Sequence, residues 1–84
     1  MIVDSSAIVA IVFEEPDHAI YLHRIANAEW SWMTAPSLLE TCVVVNREKG
    51  ADGLNVLRKF MAESNIQVVP FTEADAEMWG RIIW

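Results

Sequence analysis

Cysteine is almost missing from these 84 residues: Cys42 stands alone. That excludes an internal disulfide and a cysteine-based zinc site, and it suits a reducing cytosol. Basic side chains are scarce too, with six Lys and Arg against twelve Asp and Glu. A net charge of −6 excludes nonspecific capture of nucleic acid, which needs a Lys/Arg surface. It leaves room for an enzyme that meets phosphates through bound divalent cations, or for a basic protein partner. Long apolar runs are lacking: the longest, Ala7 to Phe13, is too short to span a bilayer. No basic leader precedes it and Asp4 interrupts the start, so neither a signal peptide nor a membrane partner is expected. Glycine and proline number three each, and no linker, repeat or low-complexity run divides the chain. One domain over residues 1–84 and a cytoplasmic location are the expectation. What the chain has in excess is apolar matter, 54% hydrophobic residues with four tryptophans. A body this small buries only about 60–65% of its unfolded surface, so some of that matter is expected to face outward.

The opening residues organise the rest. Met1-Ile2-Val3 reads as a very short strand that ends on Asp4 and turns at once into the apolar helix of Ala7 to Phe13. Ser5 and Ser6 can each accept a backbone N–H at that helix start. Asp4 then sits at the carboxyl end of a strand, where open α/β sheets place their ligands. A carboxylate between two apolar runs has to be solvated, paired or bound to a cation.

Glu14-Glu15-Pro16-Asp17 stops the first helix and starts a second, predicted from Pro16 to about Asn27 with Ile20, Leu22, Ile25 and Ala26 as its apolar positions. His18 and His23 are five apart, which is the wrong spacing for a shared helix face and a metal. Trp30 to Thr34 alternates large and small residues and reads as a strand with both tryptophans on one side. A third helix is predicted to open at Thr34-Ala35-Pro36-Ser37 and end at Gly50, and a fourth to run from Ala51 to Ser64. Ile66 to Pro70 is a third strand. Thr72-x-x-Asp75 then caps a last helix with Met78, Trp79, Ile82 and Ile83 as its stripe. Strands separated by helical crossovers make a parallel sheet. The predicted fold is α/β, three parallel strands flanked by about five helices.

Two acids stand out by position. Asp4 ends the first strand, and Glu40 lies just after the second, in the first turn of the third helix. In a parallel sheet both carboxylates can converge over one edge. Mg²⁺ or Mn²⁺ takes such oxygen ligands, activates water and neutralises a phosphodiester. Plainer roles compete for the same residues. Ser37-x-x-Glu40 has the capping-box form, and Asp4 can serve as a helix cap. Cys42 suits a small buried hydrophobe, and Glu73 and Asp75 suit the last helix start.

The segment Met1-Ile2-Val3-Asp4-Ser5-Ser6-Ala7-Ile8-Val9-Ala10-Ile11 resembles the start of PIN-domain toxins of the VapC type. The likeness continues through Glu14-Glu15-Pro16-Asp17, Ala35-Pro36-Ser37-Leu38-Leu39-Glu40, and Ile66 to Phe71 with the helix after it. The resemblance implies a PIN-like parallel sheet and a Mg²⁺- or Mn²⁺-dependent endoribonuclease, the toxin of a type II toxin–antitoxin system. Its partners would be an RNA substrate and a cognate antitoxin. It also implies that Asp4 is the first metal-binding carboxylate, that Glu40 is the second acid, and that Ser6 supplies a hydroxyl to the site.

The likeness covers only the first two-thirds of such a domain, and the family's C-terminal strands and later aspartates have no counterpart. Two expectations follow. With only Asp4 and Glu40, catalysis by this chain is weak or absent. The first strand, central in the family sheet, keeps an open edge that favours a homo-oligomer or strand-swapped dimer. A second reading is a catalytically dead PIN fragment that binds an antitoxin. A third, a phosphoacceptor receiver, wants paired acids after the first strand and an aspartate ending the third. Ser5-Ser6 and Pro70-Phe71 stand there instead.

Overall fold

A computed structural model describes the backbone of residues 1–83 and side-chain environments through Met78. Helix α1 spans Ser5–Val12, α2 His18–Asn27, α3 Ala35–Glu63 and α4 Glu73–Ile83; strand β1 spans Ser31–Thr34 and β2 Ile66–Val69. The fold is α/β, as expected, with β1 and β2 parallel and Ser31 opposite Ile66.

The element count differs from the prediction: two strands and four helices, not three and five. The first strand shrinks to a single parallel bridge between Ile2 and Trp32. Two hydrogen bonds hold it, Val3 N to Trp32 O at 2.8 Å and Trp32 N to Met1 O at 3.0 Å. Asp4 already serves as the N-cap position of α1, so only three residues remain for pairing. The third and fourth helices merge into α3 because Gly50 kinks the path without ending it. Its φ of 62° lies in the left-handed region that glycine enters freely. The first segment therefore pairs on one edge only, and β1 lies between it and β2.

Side chains alternate across β1: Ser31 and Met33 are buried, whereas Trp32 and Thr34 are half-buried. The buried side meets the helices. Val3, Met33 and Ile66 from the sheet join Ala7, Ile8 and Ile11 of α1 and Val45 and Leu57 of α3 in one core. Helix α1 is apolar nearly all round because it is wedged between α2 and α3. One polar group is caught in this layer. The Ser31 hydroxyl is buried with no hydrogen-bond partner among the described residues.

Helix α2 packs on the core through only part of the predicted apolar set, Ile25. Ile20 and Leu22 are exposed, and the side packed on the core carries Tyr21 and Ile25. A ring and a branched chain four apart make one stripe against α1, and an apolar count alone does not find it. The helix also starts later than predicted, at His18, after a turn in which Glu14 takes a φ of 52°. Helix α4 is capped as read: Thr72 N donates to the Asp75 carboxylate at 3.0 Å, and Asp75 N to the Thr72 hydroxyl at 3.2 Å. Of its predicted stripe, Trp79, Ile82 and Ile83 lie outside the residues whose side chains are described. No helix among the described residues is long and apolar enough to cross a membrane.

Candidate active site at the carboxyl edge of the sheet

The chain reverses at Asp4 with φ −88° and ψ 154°, an extended geometry that hands the backbone to α1. Its carbonyl accepts from Ala7 N at 3.1 Å, so the backbone does the capping. The carboxylate takes no backbone N–H, which removes the plain helix-cap role. Its two oxygens accept instead from hydroxyls, Oδ1 from Ser5 and Oδ2 from Ser6, each at 3.3 Å. The serines were expected to accept backbone amides; here they donate to the acid beside them. Asp4 and Ser6 remain exposed, while Ser5 is buried.

A cavity of about 270 Å³ opens beside this group, along the free edge of the first segment. Asp4, Ser6 and Ala7 line it from one side, and Tyr21 and Arg24 of α2 from the other. The sequence reading missed the last two. Their signal was the spacing of three that puts both on one face of α2, next to Ile25. Among the described residues Arg24 is the one basic side chain in that lining, which also includes Met1 with its N-terminal ammonium.

Glu40 is exposed on the second turn of α3. The capping-box reading of Ser37 and Glu40 fails, because Thr34 is the N-cap and its hydroxyl accepts from Ser37 N at 3.3 Å. The Ile2–Trp32 register brings Asp4 level with Thr34, which starts α3. Glu40 follows about 9 Å along the helix axis at 1.5 Å per residue. The structure thus gathers Asp4, Ser5 and Ser6, and leaves Glu40 outside the cavity that Asp4 lines.

Carboxylate and hydroxyl oxygens are the right donors for a hard divalent cation. Their number falls short: among the described residues no three His, Cys, Asp or Glu side chains gather to hold a metal ion. Neither histidine joins them; His18 and His23 bond to the Glu15 carbonyl and to Asn27 instead.

A family model for the PIN domain matches residues 1–84. The chain is 36% identical over 78 residues to a protein named Ribonuclease VapC28 of Mycobacterium tuberculosis, a match covering 93% of this chain and 59% of that one. It is 30% identical over 69 residues to a Ribonuclease VapC of Mycolicibacterium smegmatis, covering 82% and 54%. The crystal structure of Mycobacterium tuberculosis VapC20, described as a sarcin-ricin-loop-cleaving toxin, superposes with a TM-score of 0.74 at 16% identity. That superposition covers 98% of this chain and 65% of the other, and at such identity it speaks to the fold alone. The chain spans somewhat more than half the length of the curated relatives it matches. The family model is matched from first residue to last: the chain belongs to the PIN domain family.

Proposed function

We propose that this chain carries the first part of a metal-dependent endoribonuclease of the VapC type, a cytoplasmic toxin whose partners are RNA and a cognate antitoxin. The observation that carries the reading is the Asp4 carboxylate. It is exposed where the bridged first segment ends, withheld from the helix cap, and flanked by two hydroxyls. Asp4 and Glu40 are the residues that would hold Mg²⁺ or Mn²⁺. Such an ion, when bound, neutralises charge on a phosphodiester and lowers the pKa of attacking water.

The chain's own residues supply the rest. The Ser6 hydroxyl fixes Asp4 Oδ2 in orientation, as outer-shell donors do for metal-binding carboxylates. Arg24, across the cavity, would bind a backbone phosphate of the RNA by charge-assisted hydrogen bonds. Two carboxylates are few for a divalent ion, so cleavage by this chain is proposed to be weak. A second reading, a catalytically silent antitoxin-binding module, draws on the same shortage of ligands.

RNA cleavage with Mn²⁺ or Mg²⁺, for the chain and for Asp4→Asn side by side, tests the two. Weak cleavage that disappears in Asp4→Asn supports the nuclease. Absence of cleavage, with tight binding of a basic helical partner, supports the module. Strong cleavage by the unmodified chain contradicts the proposed weakness.

A further inference from the structure

Strands β1 and β2 run parallel and begin at the same end of the sheet, with Ser31 opposite Ile66. The segments that lead into them, through Glu29 and Trp30 on one side and Asn65 on the other, therefore meet at that end. Between them opens a cavity of about 450 Å³, a volume suited to a small ligand. It is separate from the Asp4 site. Asp4 lies level with Thr34, at the other end of β1, about 10 Å along the strand at roughly 3.3 Å per residue.

The lining offers acceptors and aromatic surface. Glu29 brings a carboxylate, and Asn65 and Gln67 bring carboxamides; all three are exposed. Trp30 is 55% exposed, so one face of its ring is open. The other stacks on Trp32, with centroids 5.9 Å apart and planes at 28°, which holds the platform in place. Ser31 is also in the lining, and its hydroxyl is the buried group left without a partner among the described residues. Such a group carries a cost that an arriving donor offsets. Among the described residues no lysine, arginine or histidine lines the cavity. The Met1 ammonium donates to the Trp30 carbonyl but lines the Asp4 cavity instead.

An anion, an RNA phosphate included, finds no basic side chain here to neutralise it. A planar cation with several N–H donors matches each feature: an aromatic face for its plane, a carboxylate for its charge, and amide oxygens for its remaining donors. We propose that this cavity binds a guanidinium group, stacked on Trp30 and paired with Glu29, while Asn65 and Gln67 accept from its other N–H groups. An ammonium group has the charge but no plane to stack. The net charge of −6 favours the approach of a cation. This proposal is independent of the nuclease reading.

Free arginine and an arginine side chain on a peptide carry the same group. Arginine and N-acetyl-arginine amide are therefore titrated in parallel into the 84-residue chain, with citrulline and lysine as the neutral and the non-planar controls. Both arginine forms should shift the Trp30 indole N–H and the Asn65 and Gln67 side-chain amides to saturation, and the controls should bind about tenfold more weakly. Glu29→Gln should weaken arginine binding about tenfold. Glu48→Gln, which removes an exposed acid on α3, should leave it unchanged, with the folding of both variants checked by far-UV circular dichroism. Binding of either form supports the proposal, and the tighter one names the source of the group. Three results would overturn it: no shifts at these residues, equal binding of citrulline or lysine, or undiminished binding to folded Glu29→Gln.

Discussion

The Ser6 hydroxyl donates to Oδ2 of Asp4 at 3.3 Å, two residues away and across the first turn of α1. A bond of this kind orients a carboxylate without taking it out of solvent. Ser6→Ala should weaken Mn²⁺ binding about tenfold, the lower end for loss of an outer-shell partner. Ser6 is exposed, so its melting temperature should hardly move. Titration with Mn²⁺, followed by paramagnetic broadening, reads the first effect and a thermal melt the second.

Capping and site chemistry separate cleanly on α3. Thr34 holds the Ser37 amide, so Thr34→Ala should cost about 1 kcal/mol of stability. Glu40 is exposed and outside that cap, so Glu40→Gln should leave urea unfolding within about 0.5 kcal/mol of the parent. The same Glu40→Gln change should lower any Mn²⁺-dependent RNA cleavage. Equal losses of stability in both variants would return Glu40 to the capping box.

Two glycines in α3 should fail for different reasons. A Cβ at Gly50 meets nothing within 4 Å, so Gly50→Ala costs only its backbone, which at φ 62° and ψ −151° lies in a region essentially confined to glycine, about 1–3 kcal/mol. A Cβ at Gly53 would collide with the Lys49 side chain and sit 3.0 Å from Val45 Cγ1, a core atom. Gly53→Ala should also destabilise, by about 1–3 kcal/mol, here through overpacking. Denaturant midpoints for the two variants check both losses.

The Asp75 carboxyl is held below its usual range, first by the Thr72 backbone N–H and then by the Thr72 hydroxyl. A lowered folded-state value means that the ionised form stabilises the start of α4. That contribution is complete above the unfolded carboxylate value and fades as pH falls through the folded one. Helix α4 should fray on acidification below about pH 4, near the unfolded value, and Asp75→Asn should remove the dependence. Backbone chemical shifts of residues 72–76 against pH report it.

Much of this was legible in the sequence where local chemistry decides. Thr72-x-x-Asp75 announced the α4 cap, Gly50 marked the kink in α3 though not its end, and the apolar run after Asp4-Ser5-Ser6 announced α1. What escaped depends on neighbours. The first strand is cut to one bridge because the chain is needed for the α1 start. Ser37-x-x-Glu40 looked like a cap, but Thr34, three residues upstream, reached the amide first. Tyr21 and Arg24 were overlooked because the packed face of α2 mixes an aromatic, a branched chain and a cation. The three-strand, five-helix count failed for the same reason, since strand length and helix merging are settled by tertiary contacts rather than by local pattern.

The most direct test of the site is where a divalent cation lands. Amide spectra of the chain, recorded with trace Mn²⁺, should show broadening centred on residues 4–6, and Asp4→Asn should abolish it. Broadening centred instead on the Glu14–Asp17 turn, or left unchanged in Asp4→Asn, would contradict a metal-dependent site built on Asp4.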